Sequence, residues 1–134
     1  MVDTSAWIHA LRRVGDGHIR ARIEQLLSEQ AAAWCEMLRL ELWSGVGGEA
    51  ERRALEQLDP ILPRMPINDA VWSSAAELAG RARTNGISAP AADLLIFACA
   101  KTYGLEIEHV DRHYEMLGDA GETRLNGAGY GLDD

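Results

Sequence analysis

A chain of 134 residues is long enough for one domain to bury a core without disulfide or metal staples. Its 47% hydrophobic and 25% charged residues are ordinary for a globular protein, and no apolar run approaches the ~18 residues of a membrane-spanning helix. A net charge of −8 lowers the expectation of a nucleic-acid partner, although only Lys101 among the 13 basic residues is lysine, so the positive charge is almost all guanidinium, the better phosphate ligand.

Met1-Val2 has room only for the end of a short strand that stops at Asp3. Thr4 or Ser5 is then placed to cap a helix whose inner face is Trp7, Ala10, Leu11 and Val14. The opening MVDTSAW has no basic segment ahead of an apolar one, so a cytoplasmic protein without a secretory leader is expected. Gly15-Asp16-Gly17 breaks the first helix, and a second runs from about His18 to Glu29 on the stripe Ile19, Ile23, Leu26, Leu27. Ala31 to Cys35 reads as a short buried strand; Cys35 and Cys99 both lie in apolar runs and read as buried small hydrophobes. Glu36 to Ser44 returns to helical spacing, with Met37, Leu40 and Trp43 inward, and Gly45 ends it.

Glu49 to Leu58 is a further helix with Ala50, Ala54, Leu55 and Leu58 inward. Pro60, Pro63 and Pro66 leave space for at most a brief strand near Leu62 to Met65. Asn68 is a good N-cap for a helix to about Arg83, with Val71, Trp72, Ala75, Leu78 and Ala79 inward, stopped by Asn85-Gly86. Pro90 sits near the first turn of the next helix, Ala91 to Tyr103, which is apolar nearly all round and therefore central and buried. Gly104 ends it, Leu105 to Val110 reads as a strand, and a glycine-rich tail from Gly118 holds at most a weak strand near Thr123 to Leu125. Strands alternating with helices predict an α/β domain with a largely parallel sheet.

In such a sheet, strand ends and helix N-termini meet along one edge. Asp3 ends the first strand, Asp111 follows the last clear one, Asp93 opens the apolar helix, and Glu41 lies mid-helix after the second strand. Carboxylates gathered there repel one another unless a cation holds them ionised. Oxygen-only ligands suit Mg²⁺ or Mn²⁺, which activate water and stabilise charge on a phosphoryl group. The implied chemistry is metal-assisted phosphodiester hydrolysis.

The stretches VDTSAWI, ELWSGV and DLLIFACAKTYGLEIEHVDRHYE resemble, in that order, a PIN domain, and most closely the small VapC-type toxins of bacterial toxin–antitoxin pairs. The similarity runs from Val2 to about Leu117. It implies a three-layer PIN-like domain over residues 1–117, with a central, mostly parallel sheet flanked by helices, followed by a polar tail over 118–134. It also implies a Mg²⁺- or Mn²⁺-dependent endoribonuclease acting on RNA, a cognate antitoxin, and a homodimer, with no membrane role. Carried over by motif, Asp3, Glu41, Asp93 and Asp111 are the metal-holding acids, and Ser5 is the hydroxyl residue that would orient Asp3 or a metal-bound water. The chain departs from the pattern at its end: His109 stands where Thr or Ser is usual, and His113 and Tyr114 where Asp and Phe are frequent.

Each residue also has a plainer reading. Taken singly, Asp3 is a cap or turn residue, Asp93 compensates a helix dipole, and Glu36 is an alternative to Glu41. His109 and His113 are expected to be surface or hydrogen-bonded histidines. Arg12, Arg13, Arg20, Arg22, Arg81 and Arg83 offer an RNA track, and each alone is an ordinary solvated cation. Trp7, Trp34, Trp43 and Trp72 read as core, and the stripe of the second helix as core or an antitoxin groove. Two rivals remain open: a haloacid-dehalogenase-type phosphatase, whose pattern wants a second Asp where Ser5 stands, and a catalytically inactive PIN-like scaffold.

Overall fold

The computed structural model describes residues 1–12, 15–110 and 114–118. They divide into two compact units. The first comprises Met1–Pro66 with Ile107–Val110; the second comprises Ile67–Glu106 with residues 114–118.

The first unit carries α1 (Thr4–Leu11), α2 (Gly17–Ser28), α3 (Glu36–Ser44) and α4 (Glu49–Leu58). Asp3, rather than Thr4 or Ser5, is the N-cap of α1, and Asp16 caps α2 by accepting from the N–H groups of His18 and Ile19. Those two bonds, Ile19 first, hold the Asp16 carboxyl below the usual carboxylate range. The core gathers Val2, Trp7, Ile23, Leu26, Trp34, Leu38 and Leu55, with Trp7 and Trp34 tilted at 56° and 6.4 Å between centroids.

Backbone pairing in this unit is parallel, as expected, but consists of isolated bridges, Val2 to Glu108 and Trp34 to Arg64. The Val2 N–H donates to Ala33 O at 3.2 Å, so four short segments lie in the order 64, 34, 2, 108. The strands expected at 31–35, 62–65 and 105–110 thus shrink to single bridging residues. The reason is local: Asp3 turns at once into α1, Cys35 into α3, and Pro63 and Pro66 have no N–H to extend a ladder.

Side-chain facing also differs from the expected registers. In α3 the buried residues are Leu38 and Leu42, one turn apart, and Leu40 is 59% exposed on the far side. Nine residues with apolar side chains at 37, 38, 40, 42 and 43 admit two registers, and spacing alone does not choose between them. Ala50 of α4 is exposed as well. The calls on Arg13 and Val14 lie outside the described residues.

The second unit pairs α5 (Asp69–Thr84) with α6 (Ala91–Thr102). Asn68 caps α5 by accepting from the Val71 N–H at 3.1 Å, as expected. Its buried face is Val71, Leu78 and Ala82, while Trp72, one step round from Val71, is 56% exposed rather than inward. Both helices end at left-handed glycines, Gly86 (φ 70) and Gly104 (φ 67). There Ile87 N–H reaches Ala82 O and Leu105 N–H reaches Ala100 O, both at 2.8 Å, as in Schellman endings. Helix α6 is buried without a break from Leu95 to Ala100, as its all-round apolarity predicts. Residues 114–118 are helical and bury Tyr114 and Leu117. The strand expected at 123–125 and the tail beyond Gly118 lie outside the described residues.

Candidate active site

Asp3 is almost fully buried at 4% exposure, an expensive place for a carboxylate unless donors meet it. Its Oδ2 accepts from the Ser5 N–H at 3.0 Å and from the Ser5 hydroxyl at 2.7 Å. The same hydroxyl oxygen accepts from the Val110 N–H at 3.1 Å. Ser5 therefore has its proton directed at Asp3 and its lone pair at the backbone of the residue preceding Asp111 in the chain. Glu108 is tied down beside it: Asp3 N–H donates to its carbonyl at 2.9 Å, and Arg22 pairs with its carboxylate at 2.8 Å. Asp111 and His113 lie outside the described residues.

Glu41 is half-buried in the middle of α3, and its Oε1 accepts from the Thr4 hydroxyl at 3.0 Å. The bond joins α1 to α3 across 37 positions. The alternative acid, Glu36, is instead engaged by Arg64 at 3.3 Å and Arg39 at 3.9 Å at the other end of α3. A small cleft of about 90 Å³ opens beside Thr4 and Glu41, walled by Ile8, Leu42, Val46 and Leu55. In this unit, then, consecutive residues Asp3, Thr4 and Ser5 hold one acid of the proposed set and grip another.

In the second unit Asp93 is the third residue of α6 and 9% exposed. Pro90 caps this helix without a side-chain bond, so the positive end of the helix dipole faces the Asp93 carboxylate. The Tyr114 hydroxyl lies 3.5 Å from Asp93 Oδ1. Tyr114 is itself buried and stacks on Phe97, one turn beyond Asp93.

The residue types fit a divalent cation: Asp3, Glu41 and Asp93 are buried or half-buried carboxylates, the oxygen ligands that Mg²⁺ and Mn²⁺ prefer. Among the described residues, no three His, Cys, Asp or Glu side chains are grouped tightly enough to hold a metal ion by themselves. Two of the arginines expected to track RNA are engaged elsewhere. Arg22 meets Glu108, and Arg20 donates to the carbonyls of His9 and Arg12 at the end of α1. Sequence reasoning missed three contacts: Thr4 to Glu41, Val110 to Ser5, and Tyr114 to Asp93. Only the last left a trace, as a Tyr where Phe is frequent.

The chain matches the PIN domain family over residues 1–119. It is 33% identical over 134 residues to Ribonuclease VapC11 of Mycobacterium tuberculosis, covering 97% of this chain and 98% of that protein. Ribonuclease VapC18 of the same species is 33% identical over 121 residues, covering 87% and 85%. Among solved structures, that of FitAB bound to an IR36 DNA fragment superposes with a TM-score of 0.69 at 21% identity, over 87% of this chain and 88% of that one.

Proposed function

From the premise that this chain belongs to the PIN domain family, we propose that it is a divalent-metal-dependent endoribonuclease and the toxin of a toxin–antitoxin pair. Near-full-length similarity to two VapC ribonucleases supports the activity. The observation that carries the site is the buried Asp3 carboxylate, oriented by Ser5, with Glu41 bound to the adjacent Thr4.

Asp3, Glu41, Asp93 and Asp111 would hold Mg²⁺ or Mn²⁺, within a PIN-like domain over residues 1–117 with a mostly parallel central sheet and a tail over 118–134. Bound there, the cation supplies activation of water and stabilisation of charge on the phosphate. The chain's own contribution is positional. Ser5 fixes the rotamer of Asp3 by directing two donors at its Oδ2. Thr4 does the same for one oxygen of Glu41. Asp93 stands in the first turn of α6, with the Tyr114 hydroxyl 3.5 Å from its Oδ1. Hydrolysis adds water across one P–O ester bond of RNA.

The partner we propose is a cognate antitoxin, with the chain acting as a cytoplasmic homodimer. The deciding experiment incubates purified protein with labelled single-stranded RNA with and without Mn²⁺. Cleavage that disappears with chelator, returns with Mn²⁺ and is lost in Asp93→Asn is expected. Cleavage independent of metal, or intact in Asp93→Asn, contradicts the mechanism. A wild-type protein inert on RNA and silent to Mn²⁺ in calorimetry identifies the inactive scaffold instead.

A further inference from the structure

We propose that Thr4 is a positioning residue for Glu41, setting the orientation in which that carboxylate meets the cation; this rests on the ribonuclease reading above. Thr4 is the first residue of α1, where side chains are ordinarily interchangeable once the cap is supplied, and Asp3 already supplies it. Its hydroxyl is therefore not needed to start the helix. It points across to α3 and donates to Glu41 Oε1 at 3.0 Å.

Glu41 needs such a partner more than the aspartates do. It reaches the site on a longer side chain with three torsions, from the middle of a helix rather than from a strand end or helix N-terminus. One donated hydrogen bond to a half-buried carboxylate removes part of that freedom and fixes where Oε1 lies. Thr is also stiff at χ1, because both of its Cβ substituents are heavy atoms, so the donor itself is held in place. Asp3 and Glu41 are thereby coupled through the peptide that joins residues 3 and 4.

The test compares Thr4→Val, which keeps the branched shape and removes the donor, with Thr4→Ser, which keeps the donor. Each is read by Mn²⁺ calorimetry, by RNA kinetics and by thermal unfolding. Partners of metal-ligating groups carry about 10–100-fold in metal affinity or activity. Thr4→Val is expected to lose about tenfold in Mn²⁺ affinity and in kcat, with KM for RNA and the unfolding midpoint little changed. Thr4→Ser stays within about threefold of wild type if the hydroxyl alone matters. In a Glu41→Ala background, the Thr4→Val loss in Mn²⁺ affinity should vanish, because the two residues act as one unit. Wild-type behaviour of Thr4→Val overturns the proposal, as does a loss that persists without Glu41 or that Thr4→Ser shares. Should Thr4→Val fold poorly, Thr4→Ala, read by the same calorimetry, decides in its place. A wild-type protein that neither binds Mn²⁺ nor cuts RNA overturns the underlying reading, and is recognised before any variant is made.

Discussion

The phenol oxygen of Tyr114 stands 3.5 Å from Asp93 Oδ1, at the far limit of a hydrogen bond, while the Tyr114 ring lies over Phe97 with planes 10° apart and centroids 6.5 Å apart. Asp93 and Phe97 are one turn apart on α6, so the stack on Phe97 is what carries the hydroxyl to the carboxylate. Where the PIN pattern frequently has Phe, this chain has kept the ring and added a donor. Tyr114→Phe is expected to leave stability within ~1 kcal/mol of wild type, since a long bond is weak, and to lower Mn²⁺ affinity by no more than about tenfold. Tyr114→Ala opens a cavity at a residue only 3% exposed and should lose about 3–5 kcal/mol. Thermal unfolding and Mn²⁺ calorimetry on both variants separate ring from hydroxyl.

Asp3 has two roles that substitution can divide. As N-cap it accepts from the Ser5 N–H, and Asn caps a helix about as well as Asp. As a proposed ligand it needs its charge, which Asn lacks. Asp3→Asn should therefore unfold within ~0.5 kcal/mol of wild type yet lose at least ~100-fold in RNA cleavage, whereas Asp3→Ala should lose the activity and about 1 kcal/mol besides. Circular dichroism melts beside a cleavage assay distinguish the cases. An active Asp3→Asn would return Asp3 to a purely structural cap.

That double role explains why the sequence was clearer about helices than about the site. Gly86, Gly104 and Asn68 act locally, through φ or a side-chain oxygen within three residues, and each stands where its residue type predicted. Which segments pair is not a local property: Val2, Trp34 and Glu108 bridge because of partners far along the chain, while local caps after Val2 and Trp34 cut the pairing short. Leu40 and Trp72 were expected inward because an apolar residue beside a stripe reads as part of it. Glu41 stands between two leucines, of which Leu42 is buried and Leu40 exposed. Its distinguishing feature is the Thr4 hydroxyl 37 positions away, which no spacing rule encodes.

The corner between α1 and α2 sets a further expectation. A Cβ at Gly15 would collide with the carbonyl of His9, the same oxygen that accepts from Arg20 Nε at 3.4 Å and Nη2 at 3.3 Å. The colliding atom is backbone and already held, so it has little room to yield. Gly17, two residues on, begins α2 with nothing within 4 Å of an added Cβ. Gly15→Ala should lose about 2 kcal/mol or more by overpacking, and Gly17→Ala should be neutral or up to ~1 kcal/mol stabilising, because it restricts the unfolded chain. Denaturant midpoints of the two variants should thus move in opposite directions, or only the first should move.

The ion network at the base of α3 gives stability a defined acid dependence. Arg39 donates to both oxygens of Asp59, Nε at 2.5 Å and Nη2 at 2.7 Å, and Arg64 joins Asp59 to Glu36 at 3.4 and 3.3 Å. The Arg39 bond, against some burial, holds the Asp59 carboxyl below its ordinary value and Arg39 above its own. A carboxylate depressed in the folded state contributes stability that is complete above its unfolded pKa, near 3.9, and is lost as pH falls through the lower folded value. The matching contribution of Arg39 is lost only as pH rises through a folded value above the usual guanidinium range. Between pH 5 and 9 the pair should therefore add a constant increment, of about 1 kcal/mol once partial exposure of both groups is allowed for. Asp59→Asn should lower stability by that amount across the plateau, and the difference from wild type should vanish as pH falls through the lowered folded value of Asp59. A difference that stays constant down to pH 2 would assign the loss to packing around residue 59 rather than to its charge.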